Sequence, residues 1–304
     1  MQIDSGIKDM HTDNKSSQHL LLNDIPVTGT GTNQKQVIKH RPIEALVAQF
    51  RSHGLDEIQK VDLMNRVDTK FLMPINKLEK LMMALVPFYA VLEIDFSRLF
   101  HYQTTYYDTP GYGFYLMHHN GKQNRLKFRH RLYVETGDRY AEVKRKTNKG
   151  TTVKDRVEIN GDNGRENGFS EIVSDLDETI RTSLSPSLIC SYVRIALSDG
   201  KRKERLTLDY NLSFSDPDQT RSDRLDQVLI AEVKRKSFKS PSRFMDVMKQ
   251  FRYKPVSFSK YCIGCALLYP GTIKTNRFKP TLKALSVITN NRPGKGTFNQ
   301  SVWQ

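Results

Sequence analysis

The stretch RLKFRHRLY at Arg125–Tyr133 alternates with a period of two. Successive side chains of a strand point to opposite sides. Arg125, Lys127, Arg129 and Arg131 therefore share one face, and Leu126, Phe128, His130 and Leu132 the other. The hexamer AEVKRK, which occurs at Ala141–Lys146 and again at Ala231–Lys236, behaves the same way. It sets Glu142, Lys144 and Lys146 against Ala141, Val143 and Arg145, and its second copy aligns Glu232, Lys234 and Lys236. VKDRVEI groups Lys154, Arg156 and Glu158 opposite Val153, Val157 and Ile159. RLTLDYNLSF sets Leu206, Leu208, Tyr210, Leu212 and Phe214 opposite Arg205, Thr207, Asp209, Asn211 and Ser213. The runs YAVLEID, HYQTTYYDT and SYVRIAL also read as extended. Turn signals such as DTPG at Asp108–Gly111 and NKG at Asn148–Gly150 follow at short intervals. So short a spacing predicts antiparallel meanders rather than strand–helix–strand units. Helical spacing is clearest in PINKLEKLMMALV, FSEIVSDLDETIRTSL and SRFMDVMKQF. The fold class expected is α+β, mainly antiparallel β.

The polar faces are basic to an unusual degree. Two arrangements satisfy the pattern. One is an open sheet with a solvated face. The other is a closed barrel whose polar faces converge on an interior. Like charges side by side repel, and an open sheet gains nothing from stacking them. The repetition of Arg and Lys on separate strands therefore favours the closed form, with an interior that selects phosphates through arginine forks and lysine amines. Interior carboxylates would hold a divalent metal through oxygen. The whole chain points the same way: 48 Lys and Arg against 33 Asp and Glu give a formal charge of +15 over 304 residues. A surplus of that size implies a polyanionic partner.

Other chemistry is poorly represented. Three cysteines, Cys190, Cys262 and Cys265, make no disulfide framework, which fits a reducing cytoplasm. Cys262 and Cys265 form a lone CxxC, read as small buried residues on a helix. His118 and His119 lack a third ligand at metal spacing and are read as part of a loop or turn. No signal peptide and no membrane-spanning segment is expected. Residues 1–40 are read as a disordered polar lead, 41–270 as the folded domain, and 271–304 as a basic flexible tail that the fold does not need.

An ordered series of segments then resembles the VTC-type polyphosphate polymerase domain, a member of the triphosphate tunnel metalloenzymes. The carriers are RVDTKFLMP at Arg66–Pro74, YYDTP at Tyr106–Pro110, RLKFRHRLY, EVKRKT at Glu142–Thr147 and VKDRVEI at Val153–Ile159. YVRIAL at Tyr192–Leu197, RLTLDYNL at Arg205–Leu212, AEVKRK at Ala231–Lys236 and FSKY at Phe258–Tyr261 complete it. The resemblance is nearest to stand-alone bacterial members. It implies an eight-stranded closed β tunnel with helices packed outside. One departure stands out: many tunnel enzymes carry Glu-x-Glu-x-Lys, whereas Lys144 and Lys234 occupy the middle position here.

By that resemblance Lys70, Arg129, Arg131, Lys146, Arg194 and Lys260 are the expected catalytic cations. Lys127, Lys144, Lys154, Arg156, Arg205 and Lys234 are expected to bind the substrate chain. Glu232 is the expected ligand of Mn²⁺ or Mg²⁺; Glu142 either joins it or pairs with a neighbouring lysine. The implied reaction moves the γ-phosphoryl group of ATP to polyphosphate, with inorganic phosphate or pyrophosphate as further ligands. A tripolyphosphatase or nucleoside triphosphatase of the same fold and a non-catalytic polyphosphate-binding module are the alternatives. No nucleic acid is expected, because no series of stacking aromatics accompanies the charge.

Overall fold

The computed structural model of the chain describes residues 42–60, 66–148, 152–159, 172–174 and 176–290. The expected polar lead lies outside them. The strands are β1 (Arg51–His53), β2 (Val67–Pro74), β3 (Ala90–Leu92), β4 (Phe100–Asp108), β5 (Arg125–Tyr133) and β6 (Arg139–Lys146). They continue as β7 (Thr152–Glu158), β8 (Ser185–Asp199), β9 (Glu204–Ser215), β10 (Ser222–Leu225) and β11 (Val228–Arg235). Eight of them form one hydrogen-bonded path in the order β2-β11-β9-β8-β4-β5-β6-β7, antiparallel throughout. The fold is thus α+β and mainly antiparallel, and each segment expected to be extended supplies a strand.

The closed tunnel is not what the hydrogen bonds show. Among the described residues β7 pairs only with β6. The free edge of β2 is taken instead by the chain at Val256, whose N–H donates to the Lys70 carbonyl at 2.8 Å. With that edge partly occupied, β2 and β7 do not join. The sheet nevertheless curls until its two ends, Lys70 of β2 and Lys154 of β7, face one cavity.

Apolar residues sort onto the two faces by register. Phe71, Met73, Ile195, Leu206, Leu208, Ala231 and Val233 form the convex core with the helices Ile43–Val47, Leu78–Leu85 and Arg243–Gln250. Ser242 caps the last of these, accepting from Met245 N at 3.0 Å. A third core, with Phe114, Phe128 and Val143, is covered by the helix Glu178–Ser183; it is shorter than the segment FSEIVSDLDETIRTSL expected to be helical, in which Val173 and Ser174 form a turn.

Strand β9 breaks the expected alternation. Asn211 adopts φ +51°, and the β8–β9 register shifts between Ser191 and Val193. This β-bulge inserts one residue and so exchanges the faces. Leu206, Leu208 and Tyr210 stay on the convex side, but Leu212 and Phe214 turn to the concave side. The expectation of one shared face for all five is corrected by that single residue.

The concave side carries a helix of its own. The helix Lys260–Leu268 packs against Leu72, Leu188, Cys190, Phe214 and Ile230, which lie on the cavity face of their strands. Not all helices are therefore outside the sheet. The close seat requires Gly264, because a Cβ there would stand 2.6 Å from both Leu188 and Phe214 side-chain atoms. Cys262 and Cys265 are buried on this helix, as expected. Residues 271–290 differ from the expected flexible tail. They form a 3₁₀ turn at Asn276–Phe278 and the helix Lys279–Asn290, burying Phe278, Leu282 and Leu285 in the concave core. His118 and His119 also differ from expectation, closing the helix Gly113–His119 rather than a loop. No described helix is long and apolar enough to cross a membrane.

Candidate functional site

Cross-strand register arranges the basic side chains of β5, β6 and β7 in rows. Lys127, Lys144 and Lys154 lie opposite one another, as do Arg129, Glu142 and Arg156 in the next row. Tyr106 of β4 sits across from Arg129, and Thr104 across from Arg131. The far wall comes from β2, β11, β9 and β8. There Lys70 faces Glu232, Asp68 faces Lys234, and Asp209 faces Arg194. The start of the Lys260–Leu268 helix forms the floor.

These walls enclose a cavity of about 420 Å³. Eleven lysines and arginines line it against two carboxylates, Asp68 and Glu232. Ten residues singled out from sequence meet there: Lys70, Lys127, Arg129, Arg131, Lys144, Lys154, Arg194, Glu232, Lys234 and Lys260. Four do not line it. Glu142 lies behind the wall, Lys146 is one row beyond the lysine row, and Arg156 stacks on Tyr140 with 3.3 Å between guanidinium carbon and ring centre. Arg205 sits beside Lys234 on β9, away from the cavity lining.

Three carboxylates hold the cations in place. Glu142, with a side chain 0% exposed, pairs with Arg129, lies 2.8 Å from Lys154 and 3.8 Å from Arg131. Asp209 accepts from Arg194 Nε at 2.6 Å and Nη2 at 2.7 Å, and also pairs with Lys260. Glu232 contacts Lys70 at 3.1 Å and Lys234 at 3.2 Å. Burial alone would favour the neutral acid in each case. For Asp209, Arg194 and Lys260 outweigh burial and bring its pKa down to about 2. Burial opposes ionisation of Glu142 too, but Arg129, Arg131 and Lys154 keep it far below the usual carboxylate range. Lys234 and Lys70 likewise overcome burial and hold Glu232 well below it.

The lysine row has less compensation. The Arg129 guanidinium, then burial, holds the Lys144 amine well below its ordinary value. Burial pulls Lys127 down, and it pulls Lys154 and Lys234 down against the opposing pull of Glu142 and Glu232. Lys127 donates to Ser259 Oγ at 2.9 Å, a neutral partner. A row of amines with depressed basicity is a seat built for negative charge, since an anion relieves both their repulsion and their desolvation.

Asp209 was the residue whose role the sequence concealed. It appeared on the polar face of RLTLDYNLSF, but nothing in spacing announces that β8 brings Arg194 to it. His118 and Tyr192 also reach the cavity without having been singled out for it. Tyr192 lies 4.2 Å, centroid to Nζ, from Lys260, and stacks on Tyr102 with centroids 5.2 Å apart.

Comparison with known proteins follows the same residues. A family model for the VTC domain matches 65–269, more than half of the chain. No curated protein matches in sequence. An adenylyl cyclase candidate from Hippeastrum, described as having a dominant triphosphatase activity, is a similar solved structure. It is 13% identical, with 68% of this chain and 98% of that chain covered and a TM-score of 0.42. An adenylate cyclase candidate from Vibrio parahaemolyticus shares 12% identity over 66% of this chain and 99% of its own, with a TM-score of 0.40. A conserved hypothetical protein from Pyrococcus furiosus shares 14% identity over 62% and 91%, with a TM-score of 0.36. Every strand that walls the cavity, and the helix that floors it, falls within the span of the family model, and the chain belongs to the VTC domain family.

Proposed function

We propose that the protein is a polyphosphate polymerase that transfers the γ-phosphoryl group of ATP to the end of a polyphosphate chain. The observation that carries this reading is the Lys127–Lys144–Lys154 row set beside Arg129 and Arg131 in one cavity. The terminal phosphate oxygen of the chain attacks the γ-phosphorus. The bond from that phosphorus to the bridging oxygen breaks, and ADP leaves. The attacking oxygen is already anionic, so no dedicated base is required. What the protein supplies is alignment and charge compensation. Arg129 and Arg131, braced by Glu142, offer forks to phosphate oxygens, and Asp209 braces Arg194 on the far wall and Lys260 on the floor.

Among the described residues no three His, Cys, Asp or Glu side chains gather into a metal cage. Glu232 is the half-buried carboxylate that reaches the cavity, whereas Glu142 is walled off by its cations. One carboxylate fits a hard divalent ion when phosphate oxygens complete its ligands, so Glu232 would hold Mn²⁺ or Mg²⁺ together with substrate. A bound ion of this kind neutralises charge on the transferred phosphoryl group.

The test is incubation with ATP and Mn²⁺ or Mg²⁺, reading long-chain polyphosphate on a gel and free phosphate in solution. A polymerase makes chains; release of phosphate alone would replace this reading with a hydrolase, and neither product would leave a binding module. Arg129→Ala and Arg131→Ala are each expected to lower turnover by about 100-fold or more, on the scale of lost electrostatic stabilisation. Their melting curves should remain cooperative. Near-normal turnover in both folded variants removes that strand from the site.

Glu232→Gln separates metal holding from charge balance. It keeps the shape and removes the charge, so polyphosphate binding should persist or tighten. Turnover should collapse, with excess Mn²⁺ restoring only part of it. An unaltered rate and an unaltered metal requirement would assign Glu232 to balancing Lys70 and Lys234 alone.

A further inference from the structure

A histidine stands on the cavity wall among the fixed cations and the carboxylates. His118 ends the Gly113–His119 helix and lines the cavity beside the lysine row. Its ring stands edge-on to Phe278, with centroids 5.9 Å apart. Its Nδ1 lies 3.1 Å from Sγ of Cys262, in the first turn of the floor helix. The neighbouring His119 faces away, with Nδ1 on Asn120 at 3.0 Å and Nε2 on Asn276 at 2.6 Å.

The pairing with sulfur selects a tautomer. Cys262 is fully buried, and burial raises its pKa, so it keeps its proton. A buried S–H is a weak donor that needs an acceptor. If Nδ1 accepts it, the ring proton is on Nε2. Burial, and after it the cations around the ring, keep it neutral while no anion is bound. Those cations are Lys127 and Arg125 from β5, Lys146 from β6 and Arg277 from the 3₁₀ turn; Cys262 is the titratable group facing it from the floor helix. Burial, then Lys127 and Arg125, brings His118 down to about 2.

We propose that His118 is a further substrate-binding residue, presenting Nε2–H to an oxygen of the bound phosphate chain, with Cys262 as the positioning residue that fixes its tautomer. This rests on the phosphate-chain reading of the cavity. It adds that binding is linked to a proton near neutrality. An incoming phosphate chain reverses the field at the ring. His118 then gains a second proton at Nδ1, and the hydrogen bond to Cys262 reverses, with sulfur accepting. Lysines whose basicity is depressed also take up protons on binding, so the His118 contribution is read as the difference from a variant that lacks the ring.

The probe is tripolyphosphate without metal, titrated into the full chain by calorimetry at pH 6.5 and pH 8.5 in buffers of different ionisation heat. Wild type should take up more protons on binding than His118→Gln at pH 6.5. The two should converge at pH 8.5. In ¹⁵N spectra the His118 ring should be the Nε2–H tautomer without ligand and doubly protonated with it. Cys262→Ser keeps a donor and should preserve the tautomer, whereas Cys262→Ala should mix it and weaken the pH dependence. Equal proton uptake by wild type and His118→Gln, or a ring that stays neutral when tripolyphosphate is bound, overturns the assignment. A wild-type chain that binds no tripolyphosphate at either pH overturns the phosphate-chain reading and this one with it.

Discussion

Replacing Glu142 with glutamine is expected to lower stability by about 3–5 kcal/mol, the usual consequence of leaving buried charges without their partner. The side chain has no exposed surface, and Arg129, Arg131 and Lys154 all converge on it. Glutamine fills the same volume, so packing survives and only the charge is lost. The cations that remain then repel one another in a site that water reaches poorly. The expected drop in melting temperature is about 10 °C, taking roughly 2–4 °C per kcal/mol for a chain of this size. Tripolyphosphate should restore much of the loss, because it supplies negative charge to the same cations and binds only the folded chain. The increment it gives should be larger in the variant than in wild type, and an equal ionic strength of chloride should not reproduce it. A variant that melts with wild type and gains the same increment would show that Glu142 carries no such burden.

Ending the chain at Pro270 should have an effect as large, through packing rather than charge. The removed segment buries Phe278, Leu282 and Leu285 against the concave core. It also holds the Gly113–His119 helix, through Tyr115 Oη donating to the Lys274 carbonyl at 2.8 Å and His119 meeting Asn276. Each large apolar side chain contributes about 1.5–3 kcal/mol on burial. Three of them together rival the whole stability of a typical domain, about 5–15 kcal/mol. The shortened chain should therefore lose its cooperative urea transition, while a chain ending at Asn290 should keep it. Similar transitions in both would mean that the last helix rests on the core without supporting it.

The period-two rule made most strands legible because each has one apolar and one charged face. β5 and β6 follow it residue for residue, and so the lysine row and the two arginines could be located from sequence. Asn211 shows the limit of the rule. One residue at positive φ exchanges the faces of everything after it in β9, and although asparagine visits that region as a single residue, its presence does not say that it does so here. The helix Lys279–Asn290 was hidden by its company: Leu282 and Leu285 stand at helical spacing, but the run is short and is flanked by the polar, basic stretches TNRFKP and NNRPGKG. The floor helix itself was expected around Cys262 and Cys265, but its place was hidden for another reason. Its position on the cavity face depends on Gly264 meeting Leu188 and Phe214, a contact between distant parts of the chain. Asp209 belongs with it, since its partners Arg194 and Lys260 come from two other elements.

Among the described residues the outer edge of β7 is unjoined, which has a consequence for how copies of this protein meet. An exposed strand edge is a template for pairing with another chain, and β7 is exposed along nearly its whole length. Consider two such edges brought together antiparallel and centred on Asp155. Asp155 would then face Asp155, and Lys154 would face Arg156 on both sides of it. Like charges directly opposite are destabilising, so in that register the charge pattern of VKDRVE works against strand exchange between copies.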